Sequence, residues 1–214
     1  MDNIVQGSEE WFAARLGKLT ASRIADACSK TRSGAASAGH INLVAQLVAE
    51  RLTGKAADSF TSGPMQWGID TEPAAREAYE FLRDISVEQV GFVDHPEIEM
   101  CGASPDGLVG DDGLIEIKCP NTATHIATLK SPILKPAACP VPNKYLTQMQ
   151  WQMACTNRKW CDFVSFDPRL PPRMQIFIYR VERDDEAIAD MADRAVEFLA
   201  EVNNTVKILE KQYG

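Results

Sequence analysis

The segment Cys101–Pro120, CGASPDGLVGDDGLIEIKCP, decides the fold because it brings two carboxylates and a lysine onto neighbouring strands. Asp106 lies in a Ser-Pro-Asp-Gly turn, and Glu116 and Lys118 lie two residues apart on the strand that follows. Alternate side chains of a strand share a face, so Glu116 and Lys118 are predicted to occupy a charged, solvent-facing side while the isoleucines face a core. The intervening Asp-Asp-Gly is typical of a tight hairpin turn, which predicts that Glu116 folds back beside Asp106.

Two carboxylates with open positions around them suit Mg²⁺, which keeps several waters and takes few protein ligands. Phosphodiester hydrolysis needs such a site, because the metal polarises a phosphoryl oxygen and lowers the pKa of a water molecule. Lys118 would hold that water and stabilise its hydroxide form. The pattern P-D-x9-E-x-K is weak as a bare string, and an exposed hairpin with ordinary charges is the alternative.

Length and composition fit one soluble domain. The chain has 214 residues, of which 45% are hydrophobic and 24% charged, and we expect a single nuclease domain over residues 1–214. No apolar run reaches the roughly 18 residues of a membrane helix, and the N-terminus has no secretory pattern. A cytoplasmic protein with no membrane association is expected.

Cysteine spacing and net charge limit the possible functions. The six cysteines include no C-x-x-C pair, which predicts reduced thiols and argues against an iron–sulfur or zinc site. The net charge of −8 argues against a protein that coats DNA. It leaves room for a DNA enzyme whose lysines and arginines line one channel.

Periodicity and cap residues predict an α/β (α+β) fold, with a central mixed β-sheet flanked by helices. Helices are predicted at Gly7–Gly17, from Thr20 onward, from His40 to Gly54, over Phe60–Asp84 with an irregularity at Pro73, at the start of Thr122–Pro142, at Asn143–Thr156 and at Asp184–Tyr213. Further strands are predicted at Val87–Val93, Ile98–Ala103, Trp160–Phe166 and Met174–Val181. The proline-rich stretch 131–142 is predicted to be irregular and exposed.

For several polar residues outside the hairpin, the sequence allows both a functional and a purely structural role. Ser22 falls in the first turn of a predicted helix, where free N–H groups favour a phosphate, although it could equally be a capping residue. Glu72 is either a third carboxylate near the metal or an ordinary helix charge. Arg32, on a short polar loop, could reach a DNA groove, and Arg15 reads locally as a solvated charge. Gln148 shares a helix face with the glutamine one turn later, so both could bind a phosphate or a water.

Five segments, taken in order, closely resemble the phage lambda exonuclease-like family of recombination (alkaline) exonucleases, within the PD-(D/E)xK nuclease superfamily. They are QGSEEWFAARLGKLTAS, WGIDTEPAARE, GASPDGLVGDDGLIEIKCP, YLTQMQWQ, and FDPR followed by YRVERDD. The resemblance covers nearly the whole chain from about Gln6 and implies a restriction-endonuclease-like core. The sequence departs from the lambda type after Pro120, where Asn-Thr-Ala-Thr lacks an arginine, and in the 131–142 stretch.

Residue by residue, the resemblance implies a complete active site. Asp106, Glu116 and the carbonyl of Ile117 would bind Mg²⁺, expected as two ions that Mn²⁺ could replace, and Lys118 would position the attacking water. Glu72 would complete the acidic cluster.

The resemblance also implies how the protein would hold DNA and what it would work with. Gln148 would contact the water at the metal or the scissile region, and Arg15 and Ser22 would grip the 5′-phosphate of a DNA end. Arg32 would enter the duplex groove as a guide. The family forms ring-shaped homotrimers that digest one strand of duplex ends from 5′ to 3′, releasing mononucleotides. The 3′ strand passes to a single-strand annealing protein during phage recombination in a bacterial cell.

Two other functions remain open at this point. A restriction-type endonuclease would use the same Asp106, Glu116 and Lys118 without a 5′-phosphate pocket. A non-catalytic DNA-end-binding module would need no intact acidic set. Digestion of linear duplexes with and without 5′-phosphates, compared with a closed circle, separates the three.

Overall fold

Five strands form the sheet that carries the Asp106–Lys118 hairpin, in a computed structural model that describes residues 4–56 and 62–214. The strands are β1 Leu19–Thr20, β2 Val87–Glu88, β3 Val93–Asp94, β4 Cys101–Ala103, β5 Gly107–Val109, β6 Gly113–Lys118, β7 Trp160–Phe166 and β8 Ile176–Glu182. The larger sheet has the order β2-β5-β6-β7-β8, with β6 and β7 parallel and the other pairs antiparallel. A smaller sheet has the order β1-β4-β3, with β1 parallel to β4.

Helices flank both sheets, so the predicted α/β class with a mixed sheet is confirmed. The helices are α1 Glu9–Arg15, α2 Ile24–Ala27, α3 Ala38–Thr53, α4 Gly63–Arg83, α5 Thr122–Leu134, α6 Asn143–Thr156 and α7 Asp185–Tyr213, with 3₁₀ turns at 21–23 and 172–174. Cap residues mark their ends as the sequence predicts. Ser8 accepts a hydrogen bond from the Trp11 N–H at the start of α1, and Gly54 ends α3 in the left-handed region at φ 66°. Among the described helices, none is long and apolar enough to cross a membrane.

The β5–β6 hairpin forms as predicted, but its charged face is not solvent-facing. The strands pair with Leu108 opposite Leu114, and Gly110 takes φ 52° in the connecting turn. Ile115 and Ile117 belong to a buried cluster with Tyr79 of α4. Leu114 packs on the opposite face with methionines of α6, and Glu116 on that same face is fully buried. The predicted solvent-facing side is therefore wrong, because helices cover both faces of β6.

The short strands differ from their predicted bounds. The predicted strand Val87–Val93 is two separate two-residue strands, β2 and β3, which lie in different sheets. The predicted strand Ile98–Ala103 begins only at Cys101, because Met100 has a positive φ of 59°, outside the extended region. Met174 lies in a 3₁₀ turn that starts at Pro172, so the strand predicted from Met174 begins at Ile176.

Two helical predictions also change. The helix predicted from Thr20 is a 3₁₀ turn followed by the four-residue α2, because Thr20 is extended, pairs in β1 and makes no capping bond through its side chain. Conversely, α5 continues through Pro132 to Leu134, so only 135–142 is irregular. A proline near the end of a helix removes a single hydrogen bond. Likewise Pro73 lies inside one continuous α4, while the predicted helical start at Phe60 lies outside the described residues.

All six cysteines are free thiols, as predicted. Cys101, Cys155 and Cys161 are buried, Cys28 and Cys119 are half-buried, and Cys139 is exposed in the segment between α5 and α6. Burial raises the pKa of the Cys28 thiol to about 11 and that of the Cys101 thiol to about 12. These two thiols therefore stay protonated at neutral pH.

Candidate active site

Asp106 lies beside the C-terminal end of β6. It directly precedes β5, and its Oδ2 accepts a hydrogen bond from the Ile117 N–H at 2.6 Å. That N–H belongs to the residue between Glu116 and Lys118, so the hairpin brings Asp106, Glu116 and Lys118 together as the sequence predicts. The roles of these residues in chemistry remain predictions.

Glu116 is held by three side chains. Lys118 Nζ forms an ion pair with Glu116 Oε1, and Gln148 Nε2 donates to the same oxygen at 2.7 Å. Gln152 Nε2 donates to Glu116 Oε2 at 2.6 Å. The i, i+4 spacing on α6 therefore places both amides on one carboxylate. A buried charge needs such partners to be stable.

The charges of this cluster act on one another. Burial raises the pKa of Asp106 well above its ordinary value, the negative charges of Glu116 and Glu72 raise it further, and Lys118 opposes them. Burial alone would lower the pKa of Lys118, but the charges of Glu116 and Asp106 outweigh burial and raise it. Lys118 therefore remains protonated at neutral pH.

Glu72 of α4 lines a cleft that Ile117 and Lys118 also line. The cleft has a volume of about 490 Å³ and lies between α4, the end of β6 and Tyr145 of α6. Glu72 Oε1 accepts from Arg76 Nη2 at 2.5 Å, one helical turn away. Burial raises the pKa of Glu72, while Arg76 and Lys118 lower it. Glu72 thus lies near the cluster and is paired with Arg76.

The donor set fits a hard divalent cation with few protein ligands. Among residues 4–56 and 62–214, no three His, Cys, Asp or Glu side chains form a complete metal-binding group by themselves. Two carboxylates and a backbone carbonyl are a set that Mg²⁺ accepts, since it keeps several waters. Burial raises the pKa of Asp106 and the charges of Glu116 and Glu72 raise it further, and a cation bound there would oppose both effects.

A second polar cluster surrounds Arg15. Its Nη1 donates to Ser104 Oγ at 3.0 Å, and its guanidinium carbon lies 4.1 Å from the centroid of the Trp11 ring. Trp11 Nε1 donates to the same Ser104 Oγ at 2.9 Å. Burial lowers the pKa of Arg15 to about 10 and the charge of Glu50 opposes this. Arg15 is therefore a charged, half-buried group and not the solvated charge of the local reading.

Ser22 and Ser104 lie at the same end of the smaller sheet. Leu19 and Thr20 pair in parallel with Cys101 and Gly102, so both strands end in the same direction. Ser22 is exposed, and its hydroxyl lies 3.3 Å from that of Thr20. Because α2 is short and preceded by a 3₁₀ turn, the helix dipole gives no support for a phosphate site at Ser22. The support that is left is the position of Ser22 at the same end of the sheet as Ser104.

Arg32 is not joined to either cluster by any hydrogen bond or ion pair within the described ranges. It is exposed in a turn closed by the Thr31 N–H, which donates to the Ala35 carbonyl at 2.8 Å. An exposed arginine at the tip of a turn remains compatible with contact to a DNA groove.

Sequence reasoning missed two residues at these clusters. Ser104 stands two positions before Asp106 in the deciding segment, but only the fold shows that Arg15 reaches it. Arg169 forms a bidentate ion pair with buried Asp167, stacks 4.3 Å from the Trp67 ring centroid, and approaches the Pro120 carbonyl at 3.5 Å. It thereby links the end of β7 to helix α4 and to the segment that follows β6. Its presence in the FDPR segment was the available signal.

An Asp, a Glu and a Lys that converge on the hairpin of a mixed sheet flanked by helices define the PD-(D/E)xK class of nucleases. The YqaJ-like viral recombinase domain matches residues 10–159, which is more than half of the chain. The protein therefore belongs to the YqaJ-like viral recombinase family, which is lambda exonuclease-like.

Solved structures agree with this assignment. The chain is similar to LHK-Exo, an alkaline exonuclease from Laribacter hongkongensis, with 49% identity, a TM-score of 0.86, and coverage of 96% of this chain and 97% of that chain. The crystal structure of LHK-Exo in complex with dAMP matches with 50% identity and the same coverage and TM-score. A phage-related exonuclease from Haemophilus somnus 129PT shares the fold, with a TM-score of 0.71, 16% identity, and coverage of 90% and 96%. Among curated proteins, no match was found.

Proposed function

We propose that this protein is a Mg²⁺-dependent 5′-to-3′ double-strand DNA exonuclease that resects linear duplex ends. Its products would be 5′-mononucleotides and a 3′ single strand that enters annealing recombination. Family membership supports a DNA exonuclease role. The relative crystallised with dAMP, a mononucleotide, supports the kind of product.

The observation that carries the proposal is the ion pair between Lys118 and buried Glu116, next to Asp106. The pair keeps Lys118 charged beside the carboxylates. A charged ammonium there can orient a water molecule toward a phosphorus atom and stabilise the negative charge that develops during attack. Gln148, which already donates to Glu116, would hold that carboxylate in place and contact the attacking water or the scissile region.

Asp106, Glu116 and the carbonyl of Ile117 would hold the Mg²⁺, with Mn²⁺ as a substitute. The metal would supply Lewis acidity for the phosphoryl group and for the attacking water. We propose that two metal ions bind, because hydrolysis of a phosphodiester needs charge stabilisation at both the attacking and the leaving oxygens. Glu72, on the opposite wall of the cleft, would add negative charge for a second ion.

Polarity would come from the Arg15 cluster. Arg15 donates to a neutral serine and is partly exposed, so it can still bind an anion. A guanidinium fork with a neighbouring hydroxyl suits a 5′-phosphate, and Ser22 lies at the same end of the sheet. Arg32 would contact the duplex groove. The homotrimeric ring and the annealing protein partner rest on the family resemblance, and a ring would keep a chain of net charge −8 on DNA.

The test uses one linear duplex labelled at either end, with 5′-phosphate or 5′-hydroxyl termini, and a covalently closed circle of the same sequence. We expect Mg²⁺-dependent release of labelled mononucleotide from the 5′ end and no cleavage of the circle. Cleavage of the circle would favour the restriction-type endonuclease. Binding of ends without any release in Mg²⁺ or Mn²⁺ would favour the non-catalytic module.

A further inference from the structure

Two consecutive residues of α3 hold the turn between α1 and β1. Glu50 Oε2 accepts from the Gly17 N–H at 2.9 Å, and Arg51 Nε donates to the Gly17 carbonyl at 2.8 Å. Gly17 takes φ 66°, and a Cβ there would lie 2.8 Å from Arg51 Cγ. The residue two positions after Arg15 is therefore fixed through both of its backbone polar groups.

The same carboxylate also reaches the Ser22 side of the candidate pocket. Glu50 Oε1 accepts from Gln46 Nε2 at 2.8 Å, and Gln46 Oε1 accepts from Arg23 Nη1 at 3.2 Å. Arg23 directly follows Ser22. A continuous hydrogen-bonded path thus joins the residues beside both candidate phosphate ligands, with Glu50 at its centre.

Glu50 is unusual because it is only 7% exposed. Buried carboxylates cost free energy unless they are well paired, and an uncharged side chain could accept the Gly17 N–H equally well. A carboxylate at this place adds a negative charge near Arg15, where it favours the charged guanidinium.

We propose that Glu50 is a positioning residue for 5′-end recognition, fixing Arg15 relative to Ser22 through the Gly17 turn and the Gln46–Arg23 path. This inference rests on the proposed 5′-phosphate pocket. Glu50 touches no DNA in this account. Its effect is on the geometry of the two groups that do.

The experiment compares Glu50→Gln and Glu50→Ala with the parent chain, measuring Mg²⁺-dependent digestion of 5′-phosphorylated and 5′-hydroxyl ends. The readout is the ratio of the two rates. Glu50→Ala should lower this ratio about threefold to tenfold, as expected for losing a hydrogen bond that orders the pocket. Glu50→Gln should lower it less, because an amide oxygen can still accept the Gly17 N–H. If Glu50→Ala does not fold, Glu50→Gln alone carries the test.

Two reference variants separate the possible outcomes. Arg15→Ala should abolish the preference for 5′-phosphate. Tyr79→Phe removes another buried hydrogen bond, to Asp162 at 2.8 Å in a different part of the core, and should leave the ratio unchanged. If Glu50 variants keep the parent ratio, or lose both rates equally as a destabilised protein would, the role of Glu50 is wrong. If the parent shows no preference for 5′-phosphorylated ends, or if Arg15→Ala keeps the parent preference, the 5′-phosphate pocket itself is wrong, and the role of Glu50 is wrong with it.

Discussion

Glu116 is a candidate metal ligand whose burial also costs free energy of folding. Its carboxylate is fully buried, so its stability depends on the ammonium and the two amides around it. Truncating one partner of a buried ion pair leaves the other charge uncompensated. The residues of the site are therefore expected to affect both chemistry and stability.

Lys118→Ala should abolish cleavage and leave duplex binding largely intact. The lysine is expected to act on the attacking water, while the carboxylates still hold the metal and the phosphate. Single-turnover digestion in Mg²⁺ measures cleavage, and fluorescence anisotropy with Ca²⁺ in place of Mg²⁺ measures binding. Near-normal turnover in Lys118→Ala would contradict the proposed role of this residue.

Asp167 should give a defined acid dependence of stability. Hydrogen bonds from Arg169 hold the pKa of Asp167 at about 2, below its ordinary 3.8. A lowered pKa in the folded state adds stability above the unfolded pKa, and this is lost as the pH falls through the folded pKa. Asp167→Asn should therefore lower the free energy of unfolding at pH 7 by about 1–2 kcal/mol, a difference that shrinks below about pH 4. Urea unfolding of both proteins measures it, and a difference that stays constant down to pH 2 would refute the assignment.

At the scale of elements, α6 covers the strand β6, which carries the candidate active-site residues. Its residues Met149–Cys155 are all buried, and the helix covers the face of β6 that carries Glu116. The two amides differ in exposure: Gln152 is fully buried and Gln148 is half-buried. This difference allows a matched comparison.

Gln152→Ala should destabilise the protein more than Gln148→Ala does. Removing Gln152 leaves a buried oxygen of Glu116 without its donor, which costs about 1–3 kcal/mol, whereas water can replace the half-buried Gln148. Urea unfolding at pH 7 without divalent metal measures both variants. Equal losses would mean that water reaches the interior side of Glu116.

The elements that sequence predicts well are those whose signals are local. Ser8 and Gly54 act within one turn of the backbone, and the β5–β6 hairpin is set by a few adjacent residues. The two-residue strands β1, β2 and β3 are too short to show an alternating pattern. Their pairing depends on partners far away in the chain.

The burial of the site needed the tertiary fold. Glu116 reads as exposed in its own strand because the amides that satisfy it come 32 and 36 residues later. The contact of Arg15 with Ser104 spans 89 residues. The convergence of Asp106, Glu116 and Lys118 was predictable from the segment itself, but the protein groups that stabilise it were not.

For the whole molecule, we predict a closed homotrimer, each chain of 23.6 kDa. Closed rings keep acidic proteins on a polymer by topology, with a local basic channel in place of a basic surface. Multi-angle light scattering at working concentration measures the mass. A strictly monomeric protein that still digests long duplexes processively would contradict the ring.

The uneven burial of the thiols makes the native sequence ready for site-selective labelling. Cys139 is the exposed one of the six, and the thiolate is the form that reacts with maleimides. Burial raises the pKa of Cys119, beside Lys118, to about 12, so the cysteine in the cleft should react slowly. A fluorophore should therefore attach first at Cys139, just before the helix that carries Gln148 and Gln152. At this position its signal could follow, in real time, the binding of a DNA end in the cleft and the dissociation of that end.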